Sequence, residues 1–344
     1  MHIFDFDIDL IFLYFVGMEK VMAIADYFQS LTLSGLLNRL PSGVAQGVIW
    51  GIMALGVYIT FRLLDIADLS VDGTFTTGGA ITVMLIISGC NPAVALLIAF
   101  AGGLLAGTVT GLLHTKLGIP AILAGILTQY ALYSINLAIM GMKANTAVSV
   151  DKFSLILSSR YVTVAIIVGI VLAIALIAAL YWYFGTEQGS AIRATGCNSQ
   201  MAKANGINIS AMKIIGLALS NAIVAFAGGL MSQFQGYADI NMGRGSIVIG
   251  LAAVIIGEVI GDAIMGKKMN FALRLFFVVV GGVIYYFVVE VVLWLKLDTN
   301  YLKLLTAVIV AVFLAVPYLQ AQSRASFRRA GKNAAVVNSD GKKA

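Results

Sequence analysis

The densest run of side chains able to do chemistry is Asp65-Ile-Ala-Asp68-Leu-Ser70-Val-Asp72-Gly73-Thr74-Phe75-Thr76-Thr77-Gly78-Gly79. Three carboxylates, several hydroxyls and glycines stand directly before an apolar stretch. One reading is a broken helix lining a polar cavity, because irregular backbone at membrane depth survives only beside protein or water. The other is an interfacial loop in which Ser70 or Asp72 caps the following helix. The residues alone leave both open. Glu258 and Glu290 are single carboxylates inside otherwise apolar stretches, where an ionisable group is a functional candidate by default, although both lie near enough to a stretch end to reach water.

Other chemistries find no support. The only histidines are His2 and His114, and neither HExxH nor CxxC occurs, so the sequence offers no metal site and no catalytic nucleophile with a base. Gly261-Asp-Ala-Ile-Met-Gly266-Lys267-Lys268 matches a phosphate-binding P-loop until its last position, where Lys268 replaces the Ser or Thr that would hold Mg²⁺. It lies between two apolar stretches, and the expectation is a short cytoplasmic loop. No ATP site or other cofactor is expected in this chain.

The elements that must position these groups are membrane helices. Of 344 residues 60% are hydrophobic and 11% charged, and the mean hydropathy is +0.97. This excludes an ordinary soluble domain. Charge-free stretches run over 41–61, 73–115 (two passes turning at Asn91-Pro92), 117–142, 161–186, 214–238 and 304–323, and two further spans, about 246–264 and 272–295, hold the carboxylates Glu258 and Glu290. An ambiguous stretch at 8–29 contains Glu19 and Lys20, and the N-terminus lacks the basic start of a cleavable signal peptide. The expected fold is all-α, a polytopic bundle of about nine or ten spans. Its divisions are a segment 1–40 of uncertain membrane association, a transmembrane domain 41–320 and a basic, disordered tail 321–344.

Net charge is +6. If residues 185–213 are cytoplasmic, alternating passes place Arg62, Lys116, Arg193, Lys203, Lys213, Lys267, Lys268, Arg274 and the basic tail inside. Fewer basic residues, among them Arg39, Lys143, Lys152, Arg160 and Arg244, fall outside, so the charge reports topology and implies no nucleic acid. Cys90 and Cys197 fall on opposite sides and form no disulfide framework. Gly103, Gly107 and Gly111, like Gly47 and Gly51, recur at spacing four on one helix face, a pattern for close helix packing within the bundle or, less simply, between subunits.

The 185–213 loop is the most informative segment. Residues 188–204 favour a short helix parallel to the membrane, Asn205-Gly206 supplies its stop, and small residues with Arg193 and Lys203 suit a partner's polar groove. The run Gly189-x-Ala191-x-Arg193-Ala194-x-Gly196-x-Asn198-x-x-Met201-Ala202-x-x-x-Gly206-Ile207-Asn208 resembles the cytoplasmic coupling loop of ABC importer permeases of the branched-chain amino acid and ribose type. Ala227-Gly228-Gly229-Leu230, then Gly245, Gly250-Leu251-Ala252-Ala253-Val254 and Gly257, and earlier Asp68-Leu69-Ser70-Val71-Asp72-Gly73, extend the resemblance over about 42–318. Glu258 stands where that family usually has a second glycine, and residues 1–40 have no counterpart. Both departures suggest a branch paired with binding proteins for aromatic amino acids.

The resemblance implies a permease subunit of a binding-protein-dependent importer in the bacterial inner membrane, moving a small solute by alternating access. An amino acid is the expected solute. Implied partners are two cytoplasmic ATPase subunits, an extracytoplasmic binding protein, a second copy of the permease in a homodimer, and the lipid bilayer. Gly189, Ala191, Arg193, Ala194, Gly196, Asn198, Met201, Ala202 and Gly206 would serve ATPase coupling. Asp68, Ser70, Asp72, Thr74, Asn221, Asn241 and Glu258 would be candidates for the pathway. The rival is a secondary transporter or channel driven by an ion gradient through Glu258 or Glu290, without an ATPase.

Overall fold

The computed structural model describes residues 33–153, 155–266 and 269–295, with scattered positions between 304 and 315. The stretch 8–29, almost all of 304–323, the tail 321–344 and the pair Lys267-Lys268 lie outside the described residues. Ten α-helices follow: α1 Leu33–Tyr58, continued by a π-turn Ile59–Leu63, α2 Val71–Ile87, α3 Pro92–Thr115, α4 Ala121–Ile139, α5 Val162–Gly185, α6 Glu187–Cys197, α7 Ser199–Ala204, α8 Ile209–Gln235, α9 Ser246–Met265 and α10 Phe271–Trp294. Among the described residues seven are long and apolar enough to cross a membrane, and α2 is a shorter apolar helix. The fold is an all-α polytopic bundle. Helix α1 starts ahead of the charge-free stretch and runs through Pro41.

The bundle forms around α8, which is buried almost continuously from Gly216 to Phe234 and packs on α1, α2 and α3. Lipid offers no hydrophobic drive for helix association, so close backbone approach through small residues has to supply the contact. A Cβ added at Gly103 or Gly107 would run into the carbonyl oxygens of Asn221 and Leu217, and one at Gly111 would meet Ile214 Cα at 2.8 Å. The spacing-four glycines of α3 therefore face α8 within the bundle. Gly47 and Gly51 meet α10 in the same way, at Val283 Cα and Val279 Cα. We expect Gly107→Leu to separate α3 from α8 at a cost of about 1–3 kcal/mol, read as a fall of about 1–4 °C in the detergent melting temperature. An unchanged melting curve would contradict this packing.

Residues expected on the same side of the membrane gather at the same end of the bundle. At one end Arg62 meets Glu258, Lys213 Nζ lies 3.3 Å from His114 Nε2, and α6 covers Leu63. At the other, β1 (Asn145–Ala147) pairs antiparallel with β2 (Tyr237–Asp239), Asn145 opposite Asp239. The Asn91-Pro92 turn forms there as expected, with Asn91 Oδ1 accepting from Ala93 N at 2.8 Å.

Two irregular segments enter the bundle. After the π-turn, residues 64–70 run inward without helix, and Ile66, Asp68 and Ser70 are buried. The second segment had no counterpart in the hydropathy reading. From β2 the chain descends beside α2, passing Gly79 at Met242, Thr76 at Gly243 and Asp72 at Gly245 before α9 begins. Seven helical residues separate Gly79 from Asp72, so the descent is about 10 Å, and α9 starts inside the layer that the other helices cross.

Candidate functional site

The polar run at 65–77 divides into two structures. Asp68 is only 1% exposed. Its Oδ1 accepts from Ser70 N at 2.9 Å and Ser70 Oγ at 2.6 Å, and its Oδ2 accepts from Asn221 Nδ2 at 2.8 Å. Thr74 Oγ1 donates to Ser70 O at 3.0 Å. A buried carboxylate is tolerated when its lone pairs are occupied, and this group satisfies itself. The structure brings Asp68, Ser70, Thr74 and Asn221 together in a knot that starts α2 and ties it to α8.

Asp72 does something different. Its carboxylate caps the start of α9 across the bundle: Oδ2 accepts from Gly245 N at 2.9 Å, and Oδ1 accepts from Ile247 N at 3.0 Å and Ser246 Oγ at 2.8 Å. A helix N-terminus carries unsatisfied N–H groups and partial positive charge, so an ionised carboxylate there is well placed. Both readings of the run contain part of the outcome. The backbone is irregular at membrane depth, and the capping carboxylate serves another helix.

Beside this cap lies a cavity of about 690 Å³ whose walls include Asp72, Thr76, Gln129, Tyr133, Asn136 and Arg244. Gln129, Tyr133, Asn136, Arg244 and the cap partner Ser246 were not singled out by sequence. The available signal was Gly243-Arg-Gly245-Ser, glycines and polar groups ahead of an apolar stretch, as at 65–79. Asn241 lies elsewhere, exposed in a second cavity of about 320 Å³ with Trp50, Gln235 and Asp239.

At the end of the bundle that holds Arg62 and Lys213 the expected single helix is two. Asn198 is extended (φ −159°, ψ 98°) and its Oδ1 accepts from Met201 N at 3.0 Å, ending α6 and capping α7. Gly206 at φ +79° then closes α7 behind Asn205, as Asn-Gly predicts. Gly189, Ile192, Thr195 and Ala202 are buried, and Ala191, Arg193, Ala194 and Gly196 are half-buried. Gly189 lies against the end of α5 at Tyr183 and Phe184, and Gly196 against Leu63 and Leu64. Arg193 stacks its guanidinium 5.7 Å from the Phe271 ring centroid. Gln188, Ser190, Asn198, Gln200, Met201 and Lys203 are left exposed.

Glu258 stands apart from both cavities, 2.8 Å from Arg62 Nε at the end of the bundle that carries α6. With the arginine side chain 52% exposed, such a pair is worth about 0–1 kcal/mol. Glu290 is buried near the opposite end, its Cγ filling the space over Gly43. The P-loop-like Gly261–Met265 is the last turn of α9, with Gly261 buried beside Met269, and offers no phosphate-cradling loop.

Residues 40–316 match the family described as branched-chain amino acid transport system, permease component. The tyrosine transport system permease protein of Clostridioides difficile (strain R20291) is 40% identical over 283 residues, covering 81% of this chain and 91% of that protein. The ribose import permease protein of Escherichia coli (strain K12) is 28% identical over 235 residues, covering 67% and 72%. An autoinducer 2 import system permease protein of Yersinia pseudotuberculosis is 30% identical over 210 residues, covering 60% and 58%.

Proposed function

The chain belongs to the branched-chain amino acid transport permease family, and from that membership we propose how its parts divide the work of an importer. It is the multi-pass membrane permease subunit of a binding-protein-dependent ABC importer of the bacterial inner membrane, with ATP hydrolysed by separate subunits. The α6–α7 pair receives an ATPase subunit, and two copies of the permease form the translocation unit in the bilayer. Residues 41–320 are the permease domain, with 1–40 and 321–344 as appendages. The solute is an amino acid with an aromatic side chain, a reading supported by the 40% identity to a tyrosine transport system permease.

One observation carries the coupling role. Helix α6 is seated on the bundle through Gly189, Ile192 and Gly196, against both α5 and the turn that ends α1, while the opposite face stays polar and exposed. A push on that face reaches two helices at once, as a rigid-body switch requires. Gly189, Ala191, Ala194, Gly196 and Ala202 keep the pair close to the bundle, Asn198 and Gly206 shape it, and Arg193 and Met201 meet the ATPase. Deeper in the membrane, Asp68, Ser70, Thr74 and Asn221 hold the irregular segment that borders the pathway, Asp72 and Asn241 line it, and Glu258 fixes its inner rim through Arg62.

Arg193→Glu tests the assignment. It places a carboxylate over the Phe271 ring face and reverses charge beside the docking surface, so solute-stimulated ATP hydrolysis by the reconstituted importer should fall by about tenfold or more. The permease itself should purify at the wild-type yield. Normal coupling in this variant would remove Arg193 from the contact. The gradient-driven rival draws no support from Glu258 and Glu290, which lie at opposite ends of the bundle. Uptake by the purified permease alone, driven by an ion gradient, would favour it.

A further inference from the structure

We propose that the cavity beside α4 is a transit site for a zwitterionic α-amino acid bearing a ring, in which Arg244 takes the carboxylate, Asp72 and Asn136 take the ammonium, and Tyr130 and Tyr133 take the ring. The inference rests on the importer reading and specifies its solute chemistry. All five residues line the one cavity of about 690 Å³, within the range of small-molecule sites.

Charge is the first argument. Among the described residues the ion pairs are Arg62–Glu258 and Arg160–Asp151, and no described carboxylate pairs with Arg244. Asp72 holds three donors at the start of α9 through two oxygens, and only one of those donors falls on Oδ2. A carboxylate oxygen has room for a second donor. The cavity wall thus carries one cation and one anion that are not paired with each other. A zwitterion neutralises both, a neutral sugar can hydrogen-bond them but brings no opposite charge to either, and a simple anion would face Asp72.

Asn136 is the second, independent argument. It is 1% exposed, its Nδ2 donates to Gly73 O at 3.2 Å, and its Oδ1 has no hydrogen-bond partner. Because the Gly73 carbonyl requires the nitrogen, the unpartnered atom is the acceptor oxygen. Buried polar atoms without partners are uncommon and call for an explanation. A solute N–H supplies the missing donor. The third argument is apolar: Tyr130 is 75% exposed and Tyr133 44% exposed on α4, offering ring faces for offset stacking rather than being consumed by the core.

The test is ATP-dependent uptake of radiolabelled L-tyrosine by the complete importer in proteoliposomes, with Arg244→Gln, Arg244→Lys and Asn136→Leu. Arg244 is exposed, so its replacement should leave folding intact. Arg244→Gln should lower the maximal uptake rate about tenfold, and Arg244→Lys should restore part of the rate. Asn136→Leu should reduce uptake severalfold. Wild-type uptake in Arg244→Gln would overturn the site and leave the importer reading standing. ATP-dependent uptake of a sugar but of no amino acid would overturn the solute chemistry alone. Absence of ATP-dependent uptake for every solute tried would remove the importer reading and this site with it.

Discussion

Asp72→Ala should be the most damaging single change in the membrane-embedded part of this permease. It leaves Gly245 N, Ile247 N and the Ser246 hydroxyl without their acceptor at the start of α9. Hydrogen bonds to a charged group contribute about 1.5–3 kcal/mol each and do not add fully, so a total loss of about 3–5 kcal/mol is expected. Water cannot freely replace the carboxylate where the helix begins inside the membrane layer. Purified Asp72→Ala should melt about 4–7 °C below wild type, with transport reduced about a hundredfold or more. Asp72→Asn should rescue little, because turning one oxygen into an amide sets a donor against the donor of Gly245. Ser246→Ala removes one bond of the three, at about 1 kcal/mol, and should retain most transport. A wild-type melting curve for Asp72→Ala would show that the cap does not hold α9.

Gly196→Val should break coupling without breaking the bundle. The new Cβ would overlap the carbonyl oxygen of Leu63 and stand 2.9 Å from Leu64 Cα. These are backbone atoms that no side-chain rotation clears, so α6 must move outward. Overpacking of this kind costs about 1–3 kcal/mol in a core. Here the strain can be relieved by displacing a short surface helix, and the transmembrane helices need not separate. The expected result is a permease of nearly normal thermal stability whose ATPase activity no longer responds to solute and binding protein, a loss of about tenfold or more. Gly185→Ala is the matched control, since nothing lies within 4 Å of its added Cβ. Equal coupling in Gly196→Val and wild type would mean that the seat of α6 is not part of the coupling path.

Both predictions concern contacts across the bundle, and they mark the limit of what hydropathy reveals. Stretches free of charge locate helices because a bilayer penalises charge residue by residue, a local rule that needs no partner. The same holds for Asn91-Pro92 and Asn205-Gly206, whose turn chemistry acts over a few bonds. The coupling segment was legible for another reason: its spacing of small and polar residues resembles a family pattern. Even there one substitution's worth of geometry escaped, since the extended backbone at Asn198 splits the expected helix into α6 and α7.

By itself, then, the sequence determined an all-α membrane bundle and that glycines at 47, 51, 103, 107 and 111 serve close packing. Tertiary structure alone decided which helices those glycines join, that residues 240–245 descend into the bundle, and that Asp72 caps a helix 174 positions away at Ser246. It also separated Glu258, paired with Arg62, from the cavity where Asp72, Asn136 and Arg244 meet. The physical reason is range. Desolvation and turn preferences act on a residue and its near neighbours in the chain. A cap, a cavity or an unpaired charge depends on which distant backbone arrives beside it, and only packing of the whole bundle settles that.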